Sequence, residues 1–285
     1  MSPLEWLAEP FGYGFMANAF TVTLAAALVC SVLSCWLVLM GWALMGDAIS
    51  HAVLPGVALS YILGIPFAIG ALAFGLGAVY LIGGLRSTTR LKADTAIGVV
   101  FTALFALGLG IISRTPSQVD LGHILFGNVL GAGPAEVAQV VGLGALTLGV
   151  VLLLRKDFTL LAFDPVHAHA IGLNARILNA VLLGLLALTV VTSLQAMGII
   201  LVVAMLIIPG ATAFLLTRRF GRMLATAAAL GVVSAAVGIY ASYYLDVSTS
   251  AAVVLSQASM FLLAYLGAPR TGLVPQAVRR RRLVA

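Results

Sequence analysis

Uncharged stretches run through this chain at lengths that a soluble domain does not need. Uninterrupted runs without an ionisable residue cover 10–46, 52–85, 95–113, 137–154, 177–217, 223–245 and 247–269. A helix that crosses the hydrocarbon core of a bilayer uses about 20 apolar residues, within a range of about 17–25. The runs 95–113, 137–154, 223–245 and 247–269 each fit one such helix. The run 177–217 fits two, with the turn expected near Gln195–Gly198. The first two runs hold candidate spans at about 16–42, about 48–63 and about 66–85, the last beginning at Pro66. The pattern predicts an all-α protein, a polytopic transmembrane helical bundle of eight or nine spans. The span at 48–63 is short and carries Pro55-Gly56 near its middle. A broken helix is expected there, which membranes tolerate only where protein or a water-lined path surrounds the backbone.

Composition sharpens the picture. Charged residues make up 8% of the chain, against about 25% in soluble domains, too few to build a water-facing surface. The net charge of +6 matters through its distribution. Arg86, Arg90 and Lys92 share one loop, Arg155, Lys156 and Arg176 a second, and Arg218, Arg219 and Arg222 a third; Arg270 and Arg279–Arg282 follow the last span. Even numbers of spans separate these regions, and only Arg114 falls opposite. The positive-inside rule assigns their side, and with it the C-terminus, to the cytoplasm. The basic charge therefore reports membrane orientation rather than a nucleic-acid partner. Nine spans put the acidic N-terminus, with Glu5 and Glu9, outside. No basic residue precedes the first apolar run, so it reads as a retained helix and not a cleaved signal. The expected organisation is an external or interfacial segment at 1–14, one transmembrane domain at 15–268 and a basic cytoplasmic tail at 269–285. Cys30 and Cys35 lie five apart, roughly 140° around a helix, and read as small buried residues. Glycines such as Gly70, Gly75, Gly77, Gly83 and Gly84 predict close helix packing.

The strongest chemical signal is Asp47-Ala48-Ile49-Ser50-His51. An acid and an imidazole at i and i+4 share one helical face. An ionised Asp at the bilayer centre costs about 2.5–3.5 kcal/mol, which a divalent cation would offset. Carboxylate oxygen with imidazole nitrogen suits manganese, iron or zinc. The same residues also fit a second reading, in which Asp47 caps a helix starting at Ala48 and His51 lies at the water interface. Spacing leaves both open. Two ligands are also fewer than a site needs, so others would come from further helices, a symmetry mate or water.

Other candidates carry less. Asp120 and His123 occupy an external loop and read as solvated, as contacts for a docking partner, or as captors of incoming metal. Asp94 reads as a helix start and Asp246 as a cap or rim residue at an external helix end. His167 and His169 are two apart, so they do not share a helical face. The stretch from Asp164-Pro165 to Gly172 reads as a short helix on the inner surface. Asp164 caps it, Pro165 takes its first position and Gly172 ends it. Such a peg suits a groove in a partner. Neither lysine, Lys92 or Lys156, completes a phosphate-binding G-x-x-x-x-G-K-[ST] loop, and no H-E-x-x-H is present. Transport without covalent chemistry, and without a permanently bound cofactor, is the expectation.

Several stretches resemble the manganese/zinc/iron permease family of ABC importers, the ABC-3 group. They are Gly46–Gly56, Asp120–Asn128, Phe163-Asp164-Pro165 running to Gly172, and Gly198–Ala213 with Ala204–Gly210 inside it. The resemblance runs from about residue 15 to 268. It implies a fold like that of the vitamin B12 importer permease, working as a pair of permeases in the bacterial plasma membrane. It implies a cytoplasmic ATPase dimer and an extracytoplasmic metal-binding protein as partners. It implies that Asp47 and His51 line the metal path and that 164–172 is the helix coupling the permease to the ATPase. Of the usual coupling pattern Glu-Ala-Ala-x-x-x-Gly, only Ala168 and Gly172 remain, with Val166 and His167 at the acid and first alanine. A cation-coupled secondary transporter using Asp47 as carrier, and a permease for a siderophore or cobalamin, are the competing expectations. One tension stands: nine spans put Asp47 near the inner face, whereas a central site requires it deeper.

Overall fold

A computed structural model describes residues 9–114, 129–268 and 272. Among these residues nine spans are long and apolar enough to cross a membrane, which settles the count between eight and nine. They are α1 (Gly14–Leu39), the paired helices α2 (Met45–Ala52) and α3 (Leu54–Leu63), α4 (Phe67–Thr88), α5 (Ala93–Arg114), α6 (Pro134–Leu153), α9 (Ala175–Met197), α10 (Ile199–Leu216), α11 (Phe220–Leu245) and α12 (Thr249–Gly267). Two short helices, α7 (Arg155–Phe163) and α8 (Pro165–Ala170), lie between α6 and α9. The 155–176 segment is thus mostly helical, with α7 added ahead of the expected peg.

The most buried span is α1. It packs against α10, α11 and α6, and its serines and small residues make that possible. A side chain at Gly210 or Gly231 would run into Ser34 or Ser31 of α1. Without a hydrophobic drive between helices in lipid, such close approach supplies the attraction. Cys30 and Cys35 are free and buried in α1, as expected. The turn between α9 and α10 falls at Gly198, whose φ of 81° places it in a region that favours glycine.

The described basic loops gather at one end of the bundle, around the C-terminus of α1. Trp36 packs edge-on against Phe158 and Phe220, with ring centroids 6.1 and 5.0 Å away. The guanidinium of Arg86 lies 5.3 Å over the Trp42 ring. At the opposite end, Tyr244 donates to Glu9 at 3.4 Å and Asn18 donates to the carbonyl of Ala132 at 3.3 Å. Glu5, the loop holding Asp120 and His123, and the arginines of the tail lie outside the described residues.

The second span corrects one expectation. The irregularity is a single turn residue, Val53, and the helix continues through Pro55-Gly56. The N–H of Val53 reaches the carbonyl of Ile49 and that of Val57 reaches Val53, both at 3.1 Å. Pro55 has no N–H to give the carbonyl of His51, four residues back, and the interruption falls between the two. Gly56 and Gly70 meet backbone to backbone, which fastens α3 to α4.

Candidate ion-binding site

Asp47 is not a helix cap. The helix starts earlier, at Met45, with Leu44 in the capping position and no side-chain cap bond. That puts Asp47 inside the first turn, where its carboxylate favours the positive end of the helix dipole. Its Oδ1 lies 3.3 Å from Nε2 of His51 one turn on. Asp47 keeps 36% of its side-chain surface exposed and His51 keeps 21%, so both are partly packed and partly accessible in the single chain.

The packing sets how far along the bundle the pair sits. The His51 ring has its centroid 5.2 Å from those of both Phe101 and Phe105 on α5. Those residues follow Ala93 by 8 and 12 positions, about 12 and 18 Å along a helix of about 33 Å at 1.5 Å per residue. His51 therefore stands beside the middle of α5, with Asp47 one turn nearer the basic end. A methyl group at Gly46 would stand 2.8 Å from Leu206 Cδ1, in the middle of α10. The tension in the sequence is resolved by where the helix starts rather than by a break. The chain leaves α1 at Leu39, and the Trp42 N–H folds back onto the carbonyl of Leu37 at 2.7 Å. The α2 helix begins only after the chain has climbed back between its neighbours.

Phe101 and Phe105 are the participants that the sequence did not single out. Two aromatics one turn apart within an apolar span look the same whether they face lipid or an imidazole. While Nε2 faces the carboxylate, Nδ1 of His51 is buried without a hydrogen-bond partner. A buried imidazole nitrogen left unpaired carries a desolvation cost that a cation or a water could remove. Apolar walls also lower the local dielectric and strengthen the attraction of a carboxylate for a cation. Among the described residues, no group of three or more His, Cys, Asp or Glu could hold a metal, and Asp47 and His51 stand together as two donors.

The other expected residues are separate from this pair. Asp164 caps α8: its Oδ1 accepts from the His167 N–H at 2.9 Å, and Pro165 takes the first turn. At the far end, the Leu173 N–H reaches the carbonyl of Ala168 and the Gly172 N–H that of His169, both at 3.0 Å. Gly172 has φ of 87°, so this is a glycine-terminated Schellman end. Ala168 is fully buried while Val166 is 80% and Ile171 56% exposed. Ala168 therefore holds the peg to its own protein, and the apolar side chains beside it face outward. Asp94 lies in the first turn of α5. Asp246 ends α11 with φ of 52°.

A profile of the ABC 3 transport family matches residues 12–268. The chain is 51% identical over 277 residues to the manganese transport system membrane protein MntB of Synechocystis sp., covering 97% of this chain and 90% of that one. It is 48% identical over 260 residues to the chelated iron transport system membrane protein YfeD of Yersinia pestis, covering 91% and 88%. Its fold is similar to that in the structure of PsaBC from Streptococcus pneumoniae in complex with Fab, with a TM-score of 0.85 at 36% identity, covering 98% of this chain and 99% of that one.

Proposed function

This chain belongs to the ABC 3 transport family, and from that premise we propose that it is the membrane-spanning permease subunit of an ATP-driven importer of divalent transition metal ions. Manganese, zinc and iron all suit its donor set, and the names of its relatives favour manganese and iron. The observation that carries the reading is a carboxylate and an imidazole 3.3 Å apart, half-open and level with the middle of a neighbouring span.

The metal is the cargo. Asp47 supplies an anionic oxygen and His51 a nitrogen, and the remaining ligands come from water or from a second copy of the permease across a shared path. Two donors per chain hold an ion well enough to admit it and weakly enough to release it, as conduction requires. The basic end is the cytoplasmic one and carries the C-terminal tail, 269–285, in the bacterial plasma membrane. There α8 seats in a groove of a cytoplasmic ATPase dimer. Asp164, Pro165 and Gly172 fix its shape, Ala168 anchors it, and Val166 and Ile171 supply apolar contact. At the other end an extracytoplasmic metal-binding protein docks, with Asp120 and His123 in its landing loop. ATP turnover in the partner moves α8, and the two permeases rock between outward-open and inward-open states.

Membership of an ABC family argues against a cation-coupled secondary transporter. A siderophore or cobalamin path would call for a wide cavity without an ionisable pair, and this chain carries the pair at midspan. Uptake of radiolabelled manganese by cells carrying Asp47→Asn or His51→Ala tests the reading. Each change is expected to lower uptake by at least about tenfold, equivalent to about 1.4 kcal/mol of binding, with membrane levels unchanged. Wild-type uptake in both variants would overturn it.

A further inference from the structure

The turn joining α10 to α11 carries Arg218, Arg219 and Arg222. All three are exposed, and among the described residues none pairs with a carboxylate. They rim a cavity of about 750 Å³ whose other wall is apolar and includes Leu39, Phe163 and Phe214. Its volume falls within the range of about 300–1,000 Å³ usual for small-ligand sites. A neighbouring pocket shares Phe163 and adds Arg155 and Lys156, so the basic rim continues. Orientation in the membrane asks only that cations lie in this loop; it does not ask that they surround a cavity.

Local electrostatics point the same way. Arg219 is the N-cap of α11 and makes no side-chain cap bond, and Arg222 follows in the first turn. Cations at a helix N-terminus oppose the dipole and leave the first N–H groups without an acceptor. An anion in the cavity would reverse that sign, and guanidinium groups match phosphate oxygens in geometry. The apolar side of the cavity states what the anion is attached to. Phe163 is 64% and Phe214 53% exposed, at the level where α1 and α10 end, so this wall offers uncovered apolar surface to a hydrocarbon chain.

We propose that this cavity binds an anionic phospholipid of the inner leaflet, its phosphate held by Arg218, Arg219 and Arg222 and its acyl chain lying along Phe163 and Phe214. Basic pockets between membrane helices on the cytoplasmic side take acidic headgroups in this way. The proposal uses the orientation of the chain but does not depend on metal being the cargo.

The test uses the purified full-length chain in three arms. Native mass spectrometry counts phosphatidylglycerol and phosphatidylcholine retained per chain. Melting of delipidated protein is followed with each lipid and with inorganic phosphate alone. The same measurements are made on a triple variant, R218Q/R219Q/R222Q. Wild type is expected to retain phosphatidylglycerol over phosphatidylcholine by at least tenfold and to melt several degrees higher with it, with no such shift from inorganic phosphate. The triple variant is expected to lose that preference while melting normally without lipid. If it fails to fold, R222Q alone is expected to cut retention at least threefold. Equal retention of the two lipids, equal protection by inorganic phosphate, or an unchanged lipid preference in the variant would overturn the proposal. Unchanged lipid retention with lost ATPase association would do the same, by assigning the arginines to the partner protein.

Discussion

The position of His51 depends on how α3 is held, and Gly108 on α5 is the place to disturb it. A methyl group built at Gly108 stands 2.9 Å from the Pro55 nitrogen, 3.0 Å from Leu54 Cγ and 3.1 Å from Leu54 Cβ. Ordinary contact begins at 3.4 Å, so Gly108→Ala requires the α2–α3 segment to yield by about 0.5 Å, the tolerance within which a functional constellation must be held. The atoms in the way are backbone and the root of a side chain, so rotamer adjustment cannot absorb the change. Overpacking of this kind destabilises by about 1–3 kcal/mol, while replacing a helical glycine with alanine returns up to about 1 kcal/mol. The net expectation is a loss of about 0–2 kcal/mol in stability and a marked loss of uptake. Gly110, two positions on, has nothing within 4 Å and serves as the comparison. Melting of the purified chains and metal uptake by cells expressing them form the assay. Gly110→Ala should match or exceed wild-type stability; Gly108→Ala should fall below Gly110→Ala in melting temperature and below wild type in uptake. A Gly108→Ala chain that transports at the wild-type rate would refute the claim that α5 sets the position of the pair.

Two further outcomes follow from the packing at the basic end. Phe158 is fully buried against Trp36, so Phe158→Ala should destabilise by about 3–5 kcal/mol, read as a large drop in melting temperature. Asp164→Ala removes the cap from α8 and should cost about 0.5–2 kcal/mol locally. Its expected signature is a loss of ATP-driven uptake in cells with little change in the melting of the whole chain.

Much of the bundle could be read from the chain because lipid punishes charge. Several span ends lie near ionisable residues, as at Arg86, Asp94, Arg176 and Arg218, and Gly198, far from any of them, falls inside the window expected for its turn. Asp164, Pro165 and Gly172 were legible for a similar reason, since caps and stops are local chemistry. Three things were not. The helix at 155–163 is framed by Arg155, Lys156 and Asp157, and nothing in a span-length pattern separates it from a loop. The depth of Asp47 depends on a five-residue turn climbing back between helices, a tertiary fact that residue counting cannot supply. The walls at Phe101 and Phe105 come from a span three helices further along the chain, and an apolar run carries no mark of which face meets an imidazole. Glycine spacing was informative only in part: Gly70 and Gly75 touch neighbouring helices, whereas Gly77, Gly83 and Gly84 have nothing within 4 Å.

The central claim is that the carboxylate of Asp47 and the imidazole of His51 hold the travelling ion. Pulsed electron paramagnetic resonance of Mn(II) bound to the purified, full-length permease in lipid reads it directly, because a coordinated imidazole nitrogen couples to the manganese spin. Wild type is expected to show a nitrogen coupling that disappears in His51→Ala, and Asp47→Asn is expected to bind Mn(II) more weakly. Mn(II) held with the same affinity and the same nitrogen coupling after both residues are replaced would contradict that claim.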